Sequence, residues 1–379
     1  MSLMRPMASG VAVVAESPAP RADVVVIGAG VLGAAVFHEL ADRGASVLLV
    51  ERDRGGLGTT AWSGGIVRCY HDDPAQLERA VIGWQYFREF GARTGIDVPF
   101  VESGFLYVPH PSRLEHARAL VEGAAEDNSK GTAEAPMEWL SSAEADRRFG
   151  HLLNRSVDGA VWEPRAGYLD PLDVTRAYLA AGRRKGGRVL EGVEAHGVLR
   201  AGGRLRGVNT GIGAISADTV VLATGAATPG LLDSWGIGHD LWAQAIQVEL
   251  RLPDGPVDGH PAYMDDEYDI NGRPDPESSG MLLGHPTGQR VEGRTGGLPA
   301  DPGQVRRAVA AGSARFRWAA GSAPLGSLRA AECYAPDSLA RVARVPGETG
   351  LLLATGFNGG GFKMAPWAAG EIARLVAGE

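Results

Sequence analysis

The chain has 379 residues, 44% hydrophobic and 22% charged, with 37 Lys plus Arg against 45 Asp plus Glu and a formal net charge of −8. That length can bury a sizeable core, and the balance excludes wholesale disorder, a fibre and a disulfide-stapled miniature, leaving a globular protein. With no basic run longer than Arg183, Arg184 and Lys185, a polyanion footprint is missing, so neither nucleic acid nor an anionic membrane is expected as a partner.

Residues 1–22 read as a flexible tail, because no basic segment followed by a sustained apolar stretch opens the chain. Asp23 to Ile27 is an apolar run of strand type, the text from Gly28 to Gly44 reads as a turn and a helix closed by Gly44, and Ser46 to Val50 is a second strand. Together they form one βαβ unit. Asp73 as N-cap with Pro74 behind it predicts a helix with Leu77, Ala80, Val81, Trp84 and Phe87 on one face, ending near Gly95. Val101 to Gly150 mixes a short strand, Gly104 to Val108, with polar helical stretches and Gly/Pro breaks, as an inserted region would.

Asp170 and Pro171 start another capped helix running to about Ala181, followed by a strand at Arg188 to Val193 and two more parted by glycine turns. The last of these, Asp218 to Leu222, runs into Ala223, Thr224 and Gly225. From Leu241 to Gly284, strands at Gln244 to Leu252 and Gly280 to Gly284 flank a proline-rich turn, Gly272 to Gly280, which predicts a separate antiparallel sheet. Asp301 and Pro302 cap a helix reaching about Trp318, and a β run from Gly350 to Ala354, a glycine loop and a final helix close the chain. The fold class is α/β. Residues 23–95, 159–232 and 327–379 are expected to form a discontinuous Rossmann-like nucleotide-binding domain, and 96–158 with 233–326 an inserted antiparallel sheet with helices on the substrate side.

Gly28, Gly30 and Gly33 form GxGxxG between the first strand and its helix, with Val31 and Leu32 inside the motif. The first glycine permits the turn, and the others let a pyrophosphate and the helix approach the backbone. Eighteen residues beyond Gly33, Glu51 closes the second strand beside Arg52, where a carboxylate can accept ribose hydroxyls. The motif by itself leaves FAD and NAD both open. Cys69 and Cys333 are too few for a disulfide framework and point to a reducing, cytoplasmic setting. Nothing around His71, Asp72 and Asp73 has metal-ligand spacing, so no metal is expected and these three are read as helix caps. Lysine is scarce, at Lys130, Lys185 and Lys363 only, so Lys363 behind three glycines calls for an explanation.

Four segments carry a resemblance: Asp23 to Gly33 with Glu51, Gly58 to Arg68, Val220 to Gly225, and Ala354 to Pro366. The chain resembles the D-amino-acid-oxidase-type FAD-dependent oxidoreductases over nearly all of its length after residue 22, nearest to the monomeric sarcosine oxidase branch. The resemblance implies FAD, with Thr59, Thr60, Ser63, Gly64, Gly65 and Ile66 along the pyrophosphate and ring and Val193 at the adenine. Thr224 and Gly225, and Gly356, Asn358, Gly359, Gly360, Gly361 and Phe362, complete the implied cradle. It implies that Arg68 and Lys363 bind a substrate carboxylate; a guanidinium fork and a compact ammonium suit that task independently. Cys333 stands where sarcosine oxidases join the flavin by a thioether, but their Cys-x-Tyr-Thr spacing is replaced here by Cys333, Tyr334, Ala335, Pro336 and Asp337, so covalent and non-covalent FAD both stay open.

Other departures concern the pocket. Met281, Leu282 and Leu283 replace the neighbourhood of a lysine that assists dioxygen reduction, Asn358 and Gly360 replace a serine and a histidine, and Asn271, with Tyr268 and Arg273 nearby, stands for a substrate-side tyrosine. The expected activity is oxidation of the C–N bond of a carboxylate-bearing amine, secondary, cyclic or primary, to an imine. The electrons then pass to dioxygen, giving peroxide. The alternatives are a dehydrogenase serving a quinone or partner protein, and a non-catalytic FAD-containing subunit.

Overall fold

The computed structural model describes residues 21–126, 137–292 and 297–379. The chain opens with β1 (Arg21–Ile27), α1 (Val31–Asp42) and β2 (Val47–Glu51), then β3 (Ile66–Val67), α2 (Pro74–Arg88) and α3 (Phe90–Thr94). It continues through β4 (Phe105–Val108), α4 (Leu114–Glu126), β5 (Glu138–Ser141), α5 (Ser142–Phe149), β6 (Gly159–Glu163), β7 (Gly167–Tyr168) and α6 (Pro171–Arg184). Next come β8 (Arg188–Glu191), β9 (Ala195–Ala201), β10 (Arg204–Thr210), β11 (Gly213–Leu222), α7 (Thr228–Ser234) and β12 (Trp242–Leu252). The remainder is β13 (Ala262–Asp265), β14 (Ile270–Asp275), β15 (Gly280–Gly284), α8 (Pro302–Arg315), β16 (Ala323–Tyr334), β17 (Arg341–Arg344), β18 (Leu351–Thr355) and α9 (Gly361–Ala377).

Two eight-stranded sheets organise these elements. In the first, β18, β11, β1, β2 and β8 run parallel, with β17 antiparallel at one edge and the β9–β10 ribbon leading off β11. The central strands are continuous apolar runs buried on both faces, as a parallel sheet covered by helices requires. α1, α6 and α9 cover one face, and Phe87 of α2 stacks on Phe362 of α9 with centroids 5.1 Å apart. The second sheet runs β16-β12-β15-β14-β13-β4-β6-β5.

The expected α/β class holds, with corrections in detail. The second sheet is antiparallel except where β13 runs parallel to β4. β6 and β16, expected on the nucleotide-binding side, pair with β4 and β5 and with β12, so both belong to the second sheet. Gly272 to Asp275 extends as β14 instead of turning. Beyond Gly272 this strand pairs only with β15, so the missing N–H of Pro274 interrupts no second ladder. α8 stops at Arg315 because Phe316 is extended and Arg317 donates to the Leu152 carbonyl, which lets Phe316 and Trp318 enter the core. The predicted helix to Gly95 is two, α2 and α3, broken at Glu89. Of the expected tail, residues 1–20 lie outside the described residues, while Arg21 and Ala22 already belong to β1. Among the described residues no helix is long and apolar enough to cross a membrane, and no cluster of His, Cys, Asp and Glu could hold a metal ion.

Candidate functional site

A cavity of about 860 Å³ starts at the carboxyl ends of β1 and β2 and continues to β16 and the glycine loop before α9. At its start, Gly28 has φ +100° and lies so close to β11 that a Cβ there would stand 2.6 Å from the Ala223 carbonyl oxygen. A Cβ at Gly33 would stand 1.8 Å from the Gly28 carbonyl, so the third glycine serves helix packing. The Glu51 carboxylate accepts from Ala29 N (2.7 Å) and Asp53 N (2.9 Å), which fixes it at the cavity wall with lone pairs remaining for hydroxyl donors. The Val31 N–H is taken by Thr60 Oγ1 at 3.0 Å, and the Val193 N–H by the Glu51 carbonyl. This cradle, in which a side chain at Gly28 or Gly33 would run into backbone and whose edge carries a fixed carboxylate, fits the adenosine diphosphate half of FAD.

Of the residues expected around the cofactor, Gly28, Gly30, Val31, Leu32, Glu51, Arg52, Thr59, Thr60, Ser63 and Val193 line the cavity. So do Thr224, Gly225, Cys333, Gly356, Asn358, Gly359, Gly361 and Phe362. Gly33, Gly64, Gly65, Ile66, Gly360 and Lys363 do not. Gly64 accepts from Arg273 Nε at 2.7 Å, a Cβ at Gly65 would meet the Leu169 carbonyl at 2.0 Å, and Ile66 pairs with Tyr168. Asn358, at φ +46°, exchanges two 2.9 Å hydrogen bonds with the Ala335 backbone and so fastens the glycine loop to the end of β16. Cys333 is a buried free thiol pushed up by burial, with Thr355 and Gly356 beside it pulling the other way.

Arg68 and Lys363 come together below the second sheet, 8% and 7% exposed. Arg68 donates to the Tyr70 carbonyl, lies over the Phe105 ring at 5.1 Å and reaches Met264 Sδ at 3.6 Å. Burial and the adjacent Arg68 guanidinium push the Lys363 amine well down from its ordinary range. Its backbone is fixed by close helix packing, because a Cβ on Gly83 of α2 would stand 1.8 Å from the Lys363 carbonyl. Glu163, 2% exposed at the end of β6, accepts from Cys69 N (2.6 Å) and Tyr70 N (2.9 Å) and so holds the segment that carries Arg68. Burial raises this carboxyl, while the two backbone N–H groups and Arg68 favour its charged form.

Sequence reasoning missed three residues here: Glu163, Glu332 and His71. Asp73 does cap α2, through Gln76 N at 2.8 Å, and Asp72 pairs with Arg113 and Tyr70. His71, expected as a cap, instead has its Nε2 buried without a hydrogen-bond partner, and burial with Arg68 and Lys363 nearby holds its imidazole neutral. Tyr268, expected in the pocket, accepts from Arg155 and lies under Arg315, in the hydrophobic cluster on the far face of the second sheet. Asn271 pairs with Met264 and shares its face with Arg273, so it faces the Arg68 side. Leu282 pairs with Arg273 on this face, where the resemblance implied a lysine.

A model of the FAD dependent oxidoreductase family matches residues 23–375. The monomeric sarcosine oxidase of Streptomyces avermitilis is 28% identical over 384 residues, 94% of each chain. The 4-methylaminobutanoate oxidase (formaldehyde-forming) of Paenarthrobacter nicotinovorans is 27% identical over 376 residues, 93% of this chain, which spans 43% of that relative's length. In fold, the crystal structure of L-proline dehydrogenase from P. horikoshii superposes with a TM-score of 0.82 at 23% identity, covering 94% of each chain.

Proposed function

The chain belongs to the FAD dependent oxidoreductase family, and from that premise we propose that it oxidises the C–N bond of a carboxylate-bearing amine to an imine. The observation that carries this reading is the buried Arg68–Lys363 pair, Lys363 following directly on Gly361 and Phe362, which line the cavity. A guanidinium fork and an ammonium, both shielded from water, bind and orient a carboxylate and disfavour an uncharged amine. FAD, when bound, supplies the two-electron acceptor for the hydride leaving the substrate carbon. The protein's part is orientation: Glu163 and the Tyr70 carbonyl hold Arg68, and α9 brings Lys363 to the same place. The sarcosine and 4-methylaminobutanoate oxidases to which the chain is similar act on N-methylated carboxylates, which favours a secondary amine as substrate. We hold FAD to be non-covalent, because burial keeps the Cys333 thiol protonated and a thioether starts from the thiolate.

Dioxygen is the acceptor we favour, with peroxide as product. The second reading, a dehydrogenase passing electrons to a quinone or partner, draws on Leu282 at the face where the family resemblance implies a lysine. Anaerobic titration of the yellow holoenzyme with N-methyl, cyclic and primary amino acids tests the reaction: bleaching by one class supports it, and bleaching by none overturns it. Peroxide yield against dye reduction then separates the two acceptors. Arg68→Lys keeps the charge but loses the fork, and kcat/KM is expected to fall by about ten- to a hundredfold with flavin content unchanged.

A further inference from the structure

Glu332 is the carboxylate at the glycine-loop end of the cavity, and its Oε2 is shut away from solvent with no hydrogen-bond partner. β16 turns it to the same face as Gln244, directly across on β12, and away from Cys333. A Cβ on Gly359 would stand 3.9 Å from Glu332 Oε2, and one on Gly360 would stand 3.3 Å from Lys363 Nζ, so the two charged groups lie over adjacent glycines of one loop. Each feels the other's charge, yet Oε2 is not joined to the ammonium. On this face the strand positions between Glu332 and Met264, the neighbour of Arg68, include the apolar Ile246, Val248 and Leu328.

An enclosed carboxylate oxygen without a donor is costly, and it persists where a ligand supplies the donor. We propose that Glu332 receives the protonated amine of the substrate, so that the site reads a zwitterion from both ends, carboxylate at Arg68 and Lys363 and ammonium at Glu332. This inference rests on the carboxylate reading of Arg68 and Lys363. It narrows the substrate class to carboxylates whose nitrogen is bound with at least one N–H, and makes Glu332 the residue that rejects the isosteric plain acid.

The test uses holoenzyme reduced with dithionite under anaerobic conditions, where turnover is blocked, and calorimetric titration with three isosteric pairs. These are N-methylglycine and butanoate, L-proline and cyclopentanecarboxylate, and 4-methylaminobutanoate and hexanoate. For at least one pair the wild type is expected to bind the amine member at least about tenfold more tightly, one charge-assisted hydrogen bond's worth. Glu332→Gln should erase that preference while the plain acid binds unchanged or more tightly and flavin content stays the same. A preference that survives in Glu332→Gln, a fall of equal factor for both members of a pair, or no preference in the wild type would overturn the inference. The equal fall is what a purely structural partner of Lys363 would give. Failure of every ligand to bind the wild type would instead refute the carboxylate clamp, and the inference with it.

Discussion

Two buried carboxylates at the site are handled in opposite ways. Glu163 spends both oxygens on backbone N–H groups beside Arg68, whereas Glu332 Oε2 has no protein donor, and burial pushes its carboxyl up to about 7 against the pull of Lys363. The folded-state value of Glu332 thus lies above its unfolded value of 4.5. Its contribution to stability is therefore fully present below pH 4.5, and is lost as pH rises through about 7. Glu332→Gln removes the charge that burial disfavours. The variant is expected to match the wild type in urea unfolding at pH 4.5 and to exceed it by about 1–3 kcal/mol at pH 8. Equal stability at both pH values would mean that the carboxylate is solvated or paired.

Among the elements, the crossing of α2 on α9 sets the height of Lys363. The helices meet at Gly83, whose hydrogen faces the Lys363 carbonyl, and at the parallel stack of Phe87 on Phe362. Such aromatic pairs add about 0.5–1.5 kcal/mol beyond their burial. Gly83→Ala must separate the helices, so a loss of about 1–3 kcal/mol in urea unfolding is expected, with weaker butanoate binding because the Lys363 backbone shifts. Gly123 on α4 is the control, since nothing lies within 4 Å of an added Cβ there. Gly123→Ala should leave butanoate binding alone and gain roughly 0.5–1 kcal/mol from helix propensity. A Gly83→Ala variant as stable as the wild type would show that this helix contact is not tight.

At the scale of the whole molecule, one cavity draws its walls from segments far apart in the chain: β1 and α1, the β8–β9 turn, the end of β11, β16 and the loop before α9. The second sheet is tied to this wall by Arg273, which reaches Gly64 and lies 4.1 Å from the Tyr168 ring centre, and by Thr59 donating to Ala331. A cofactor that joins so many segments stabilises the folded state by mass action, about 2.7 kcal/mol at a hundred times its Kd. The thermal midpoint of the apoprotein should therefore climb with added FAD, and acid precipitation of the holoenzyme should leave the yellow colour in the supernatant. A yellow pellet would establish the Cys333 thioether, and a midpoint indifferent to FAD would deny the cavity its cofactor.

The sequence by itself determined what depends on neighbours a few residues away. The left-handed Gly28 before α1, the Asp caps at Asp73, Asp170 and Asp301 with proline behind each, and the carboxylate closing β2 are local requirements of backbone geometry, and all three kinds are present in the folded chain. Arg68 and Lys363 were legible as a pair through the family resemblance, and the scarcity of lysine marked the second of them. Only the tertiary structure decided what depends on strand partners. Glu163 reaches Cys69 because β6 joins the second sheet, 94 residues from the segment it holds. Strand parity, fixed by register, turns Asn271 to the site, and the turn after Asp265 leaves Tyr268 on the far face. Glu332, passed over beside the conspicuous Cys333, faces the loop of Lys363 because alternation along β16 sends consecutive side chains to opposite sides.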